Sequence, residues 1–265
     1  MTDHLLVEKK NGIATLVMNR PESRNALSID MRQSLFDVMT DIETDDSIRC
    51  VVIKGAGEHF MAGGDLKAFN DIVKLPAEER RKKFEARIHN LHPTIFTMKR
   101  MQKPIIASVQ GAAAGFGLSL AMACDMVIAA DNAFFTLAYI NIATTPDGSG
   151  SYSLAQMVGL KKAMEIAMLG DRFDAEEAKR LGLVNFVVPT ADIEAETDKL
   201  ATRLANGPTV AYGRTKQLLH ASLQNGMETQ LAMEAESFAA CAATEDWAEG
   251  ITAFAEKRKP VFKGK

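Results

Sequence analysis

The chain has 265 residues, 47% of them hydrophobic and 25% charged, which is globular composition in a chain long enough to bury a large core. A formal net charge of −3 excludes a global basic field that would recruit nucleic acid or anionic lipid. Three widely separated cysteines, Cys50, Cys124 and Cys241, lack metal-ligand spacing and sit in apolar segments, so they read as buried reduced thiols and no metal is expected. Residues 1–4 open polar with no signal-peptide pattern, and the longest apolar runs fall short of a membrane span. The expectation is a cytoplasmic protein with no membrane partner.

In chain order, two short strands are predicted at residues 4–9 and 13–18, joined by the turn signal Asn11-Gly12. Ser28 caps a helix whose apolar residues Leu35, Val38, Met39 and Ile42 recur with helical spacing. The β-branched run at residues 50–53, ended by Gly55 and Gly57, has the pattern of a buried parallel strand. One long amphipathic region is predicted over 78–101, then strands at 105–109 and 126–129 around a helix at 117–124. Asp174 and Glu177 form a variant capping box, with Gly182 closing that helix. Four helices complete the chain, near 193–205, 208–222, 225–242 and 245–258. Alternating strands and helices predict an α/β core with a mainly parallel sheet over residues 1–190 and a helical region over 191–265.

Two segments put glycines where a strand meets a loop or a helix. They are Gly55-Ala56-Gly57-Glu58-His59-Phe60-Met61-Ala62-Gly63-Gly64-Asp65-Leu66 and Gly111-Ala112-Ala113-Ala114-Gly115-Phe116-Gly117-Leu118. Small residues let backbone N–H groups approach a ligand oxygen, and a helix N-terminus adds partial positive charge. Two such sites converging on one oxygen would form an oxyanion hole. Each cluster alone reads equally well as a tight turn. Neither is a Walker loop or a Gly-x-Gly-x-x-Gly fingerprint.

Taken with Arg20-Pro21-Glu22-Ser23-Arg24-Asn25-Ala26-Leu27 and the ending Gly250-Ile251-Thr252-Ala253-Phe254-Ala255-Glu256-Lys257-Arg258, these segments resemble, in order and spacing, the crotonase (enoyl-CoA hydratase/isomerase) superfamily. The resemblance implies repeated ββα units, a C-terminal helical trimerisation region and a homotrimer or dimer of trimers. It implies an acyl-CoA substrate whose thioester oxygen receives the N–H groups of Gly64 and Phe116, with coenzyme A as part of the substrate and no separate cofactor. Phe116 stands where the family usually has glycine, so its ring must point away from the thioester. A CoA surface is implied from Arg24, Ala26, Ala62, Asp65 and Leu66, with Phe254 and Lys257 from the last helix, in one subunit or its neighbour. The ordinary reading of Arg24 and Lys257 is solvated surface charge.

Hydratases of the superfamily hold water with two glutamates. In register those positions are Ser119 and Tyr139, and neither is a carboxylate base near neutral pH. Asp147, eight residues beyond Tyr139, is either a turn or cap residue or, as the resemblance implies, an active-site acid. Isomerases of the superfamily use an aspartate there to move a proton along the acyl chain. In the branch similar to 4-chlorobenzoyl-CoA dehalogenase it is a nucleophile assisted by a histidine, near the position of His92. His92 also reads as a core residue beside Ile88, Leu91 and Ile95. Tyr139 reads as a wall of the acyl pocket, with phenol acid/base work as its alternative. Ser149 or Ser151 is placed to cap the following helix. A third alternative is a non-catalytic or RNA-binding protein of this fold, with the basic cluster Arg80, Arg81, Lys82 and Lys83 as its contact; the net charge opposes it and no nucleic-acid partner is expected.

Overall fold

The computed structural model describes residues 3–265; Met1 and Thr2 lie outside the described residues. Strands β1 (Leu5–Lys10) and β2 (Ile13–Met18) form an antiparallel hairpin. Its turn residues Asn11 and Gly12 take φ values of 52° and 77°, the backbone that a two-residue hairpin turn needs. Helix α1 (Ile29–Thr44) begins at Ser28, whose side chain accepts the Met31 N–H, and buries Leu35, Val38, Met39 and Ile42. Strand β3 (Cys50–Gly55) then pairs parallel to β2.

The next stretch leaves the sheet as α2 (Asn70–Val73), α3 (Ala77–His89) and α4 (His92–Arg100). The single amphipathic region expected over 78–101 is therefore two helices, broken at Asn90-Leu91, with Pro93 in the first turn of α4 where its missing N–H costs nothing. Helix α3 buries no residue, whereas α4 buries Thr94, Ile95, Thr97 and Met98.

The chain returns through β4 (Ile105–Val109), β5 (Ala112–Ala114), α5 (Phe116–Ala123), β6 (Met126–Ala130) and β7 (Phe134–Thr136). It continues through α6 (Gly150–Leu169, kinked at Gly159), β8 (Phe173–Asp174), α7 (Ala175–Arg180) and β9 (Phe186–Val188). Four helices follow: α8 (Ile193–Ala205), α9 (Thr209–Ser222), α10 (Met227–Ala242) and α11 (Glu245–Ala255). The main sheet has the order β1-β2-β3-β4-β6-β9, parallel from β2 onward, and a small sheet has the order β5-β7-β8.

Both faces of the main sheet are covered, as parallel strands require. Val51 and Ile53 of β3 enter the larger core with α1, α4 and α5. Cys50 and Val52, pointing the other way, pack with Ile193, Ala201 and Leu204 of α8.

Three local expectations need correction. Asp174 caps α7 through the Glu177 N–H, but Glu177 turns its carboxylate to Arg180 at 2.6 Å, so only half of the capping box exists. Ser149 sits at the start of α6 in left-handed backbone and its hydroxyl meets Ser153 instead of capping a backbone N–H. Cys50 and Cys124 are buried free thiols, whereas Cys241 is only partly buried. Among the described residues no helix is long and apolar enough to cross a membrane.

Helix α9 is locked to the core by Lys216, whose ammonium donates to the Met98 carbonyl at 2.7 Å and to Asp125 at 2.8 Å. Asp125 also accepts the Ile105 N–H at the head of β4. Removing one partner strands the other charge, so Lys216→Met is expected to lower the unfolding free energy by about 3 kcal/mol in urea titrations.

Candidate active site

The two glycine-rich segments are assembled by backbone hydrogen bonds. Fully buried Asn25 begins the work: its Nδ2 donates to the carbonyls of Ala56 and His59, and its Oδ1 accepts the Arg20 N–H. Phe60 and Met61 then donate to Gln110 and Ala112, and Ala114 donates back to Met61. The Leu27 N–H donates to the Gly63 carbonyl, which fixes the loop from its other side. Gly63, at φ 94°, lies so close to the start of α5 that a Cβ there would stand 3.0 Å from the Ala114 oxygen and 3.5 Å from the Phe116 nitrogen. That approach sets Gly64 beside Phe116. Neither the Gly64 N–H nor the Phe116 N–H donates to any acceptor of the described residues.

Both residues line a cavity of about 520 Å³. Ala62, Gly63 and Leu66 line it from the loop, and Tyr139, Asp147 and Gly148 line it from the segment between β7 and α6. Phe69, Phe84, Arg87, Leu91 and His92 close the cavity from the α2–α4 excursion. The Phe116 ring is only 2% exposed, packed where a Cβ on Gly148 would strike it.

Ser119 and Tyr139, the residues expected in register with the hydratase glutamates, touch each other, and Tyr139 touches Asp147. Buried Ser119 places its Oγ 3.1 Å from the Tyr139 hydroxyl, which donates to Asp147 Oδ1 at 2.5 Å. Burial raises the Asp147 pKa above its ordinary value; the Tyr139 hydrogen bond and the charge of Arg87 restrain the rise. Burial and the neighbouring Asp147 charge push the Tyr139 phenol far above its usual value. Tyr139 is thus a donor that orients Asp147, and it stays protonated across the working range of pH.

His92 is the first residue of α4 and lines the cavity, edge-on to His89 and Phe96, instead of joining Ile95 in the core. Of the expected CoA surface, Ala62 and Leu66 line the cavity and Ala26 is buried. Asp65 pairs with Arg20 at 3.0 Å; burial opposes its ionisation, but hydrogen bonds from Arg20 and backbone N–H groups leave its pKa lowered. Arg24, exposed in left-handed backbone at φ 51°, lies outside the cavity. Phe254, 86% exposed, and Lys257 stand at the end of α11, also outside it. In the basic cluster of α3, Arg81 is paired with Glu78 and Glu85, a solvated helix face.

Cavity residues not singled out in the sequence include Arg32, Phe69, Phe84 and Arg87. A signal existed, because Phe84, Arg87, Ile88 and Leu91 recur at i, i+3, i+4 and i+7. That stripe faces the cavity, and only Leu91 of it is also packed into the core.

The element order and the two sheets define a crotonase-like α/β fold, with a partly buried carboxylate and a glycine-rich loop lining one cavity. The profile described as enoyl-CoA hydratase/isomerase matches residues 8–265, and the chain belongs to that family, whose substrates are acyl-CoA thioesters. It is 35% identical to 1,2-epoxyphenylacetyl-CoA isomerase of Escherichia coli K12 over 265 residues, all of both chains. It is 34% identical to crotonyl-CoA hydratase of Syntrophomonas wolfei, covering 98% of each. Among solved structures, an enoyl-CoA hydratase from Polaromonas sp. JS666 superposes with a TM-score of 0.91 at 35% identity, covering 97% of this chain and 99% of that one.

Proposed function

We propose that the protein shifts a carbon–carbon double bond in an enoyl-CoA thioester by proton transfer through Asp147. The thioester oxygen accepts the N–H groups of Gly64 and Phe116. The Asp147 carboxylate takes a proton alpha or gamma to the carbonyl, charge moves onto that oxygen as an enolate, and the same carboxyl returns the proton at the other carbon. Preorganised N–H donors in a site shielded from water supply most of the barrier reduction. The observation that carries this reading is the Ser119–Tyr139–Asp147 chain: the glutamate positions hold two hydroxyls, and the one carboxylate they serve is Asp147. Relatives of nearly equal identity include an isomerase and a hydratase, so overall similarity does not select the reaction, and the reading rests on the side chains in the cavity.

The direct test is incubation of a 3-enoyl-CoA with the enzyme, following the conjugated thioester by absorbance. Conversion to 2-enoyl-CoA supports the proposal, and inertness toward 3-enoyl-CoAs of every chain length tried refutes it.

Tyr139→Phe removes the donor that holds the Asp147 pKa down, so that pKa should rise further. A base must be ionised, so the acidic limb of kcat/KM is expected to move to higher pH in this variant. An unmoved limb would detach Tyr139 from the catalytic carboxylate.

A second reading is favoured by His92 lining the same cavity as Asp147. Asp147 would attack an aromatic acyl ring and His92 would activate water for ester hydrolysis. Halide release from 4-halobenzoyl-CoA, with an aryl adduct on Asp147, would establish it over proton transfer.

We further propose a homotrimer or dimer of trimers. Large apolar side chains exposed on α6, α9 and α10 (Leu160, Met168, Leu219, Met227 and Phe238) support an assembled state, in which neighbouring subunits would cover them.

A further inference from the structure

Two arginines stand over the acyl cavity without a counter-ion. Arg87 on α3 is half-buried, with its guanidinium carbon 4.9 Å from the Phe69 ring centroid. Phe84 braces that ring edge-on at 5.0 Å. Its one hydrogen bond is a long contact of 3.5 Å to the Leu27 carbonyl. Arg32 reaches across from α1 and donates to the Arg87 carbonyl at 3.2 Å. Each guanidinium therefore uses one of its five donors. No carboxylate of the described residues comes within 4.0 Å of either. The nearby acids are engaged elsewhere, Asp65 with Arg20 and Asp147 with Tyr139.

Desolvating a cation beside a second cation is costly unless an anion completes the arrangement. Burial and the Arg32 charge both act against the Arg87 cation, which the charges of Asp65 and Asp147 only partly offset. A guanidinium fork matches a carboxylate in shape and can bind it through two parallel hydrogen bonds. We infer that the acyl pocket takes a thioester whose acyl group carries a second, anionic end, a carboxylate held by Arg87 and Arg32. This rests on the reading of the cavity as an acyl-CoA site and names the class of acyl group. The anion belongs to the acyl group because Arg87 is set among Phe69, Phe84, Ile88 and Leu91 in the cavity that holds Asp147, whereas Arg24 and Lys257 lie outside it. With the thioester fixed at one end and the carboxylate at the other, the intervening carbons are held in register beside Asp147.

Binding of saturated thioesters tests this without any turnover, so the outcome is independent of whether Asp147 shifts a double bond. Calorimetry would compare straight-chain acyl-CoAs of four to eight carbons with their counterparts bearing a terminal carboxylate. At least one acid is expected to bind about tenfold more tightly than its neutral partner. Arg87→Met should abolish the preference by weakening the acid thioester far more than the neutral one, and Arg87→Lys should retain part of it. No preference at any length in the wild type would overturn the inference, and that comparison decides even if a variant fails to fold. Equal weakening of acid and neutral thioesters by Arg87→Met, absent with pantetheine thioesters lacking the CoA phosphates, would assign the pair to those phosphates and also overturn it.

Discussion

Asp147→Asn is expected to lower kcat for double-bond migration by about 10²- to 10⁴-fold, the range for removing a general acid–base group. Asparagine keeps the shape and still accepts the Tyr139 hydrogen bond, so the Kd of a saturated acyl-CoA should hardly change. The same substitution should make the protein more stable at neutral pH. The Asp147 pKa is raised by burial, so between its unfolded and folded values the folded chain binds more protons. Wild-type stability is then fullest below the ordinary carboxylate range and falls as pH rises through that window. Asparagine has no such dependence. Its advantage in Tm should be largest near pH 7 and shrink on acidification. A variant both inactive and less stable at pH 7 would mark Asp147 as a structural turn residue, the other reading its position in the sequence allows.

The second large effect concerns the loop that meets α5. Gly63→Ala places a Cβ at φ 94°, 3.0 Å from the Ala114 oxygen, so the loop must shift away from the helix start. The backbone strain should cost about 1–3 kcal/mol of stability. Separating the Gly64 and Phe116 donors should cost about 10²- to 10³-fold in kcat, the loss seen when one oxyanion donor is removed. Vibrational spectroscopy of a bound thioester labelled at its carbonyl carbon separates this from general damage. The carbonyl stretch should shift to lower frequency in the wild type and in Asp147→Asn, and shift less in Gly63→Ala. Equal shifts in all three would remove these amides from the account.

What the sequence disclosed was local. Asn11-Gly12 can serve a hairpin because both residues tolerate positive φ, and Ser28 announces its helix through a cap three residues long. The pairing of the two glycine-rich segments rested on resemblance, since the hydrogen bonds joining Met61 to Ala112 and Ala114 span some fifty residues. Strands β5, β7, β8 and β9 are two or three residues each and exist only through their partners, so no periodicity marks them. Helix α6 is expected from the sequence only at its start, after Ser149 or Ser151; its extent is not legible because the kink at Gly159 divides it into two short pieces. The stripe through Phe84, Arg87 and Leu91 shows in the sequence as a helix face. The sequence cannot say that the face looks onto a cavity, because that depends on the break at Asn90-Leu91 and on Phe69 arriving from elsewhere. Asp147 was legible as a candidate, but its bond to Tyr139 and its shared cavity with His92 required the folded chain.

The central claim, proton transfer by one carboxyl between two carbons of an enoyl thioester, is tested most directly by running the reaction in heavy water. A 3-enoyl-CoA should give 2-enoyl-CoA carrying deuterium on the acyl chain, at less than one atom per turnover if Asp147 returns part of the original proton before exchange. Asp147→Asn should abolish both product and label. Product formation undiminished in that variant would contradict the account.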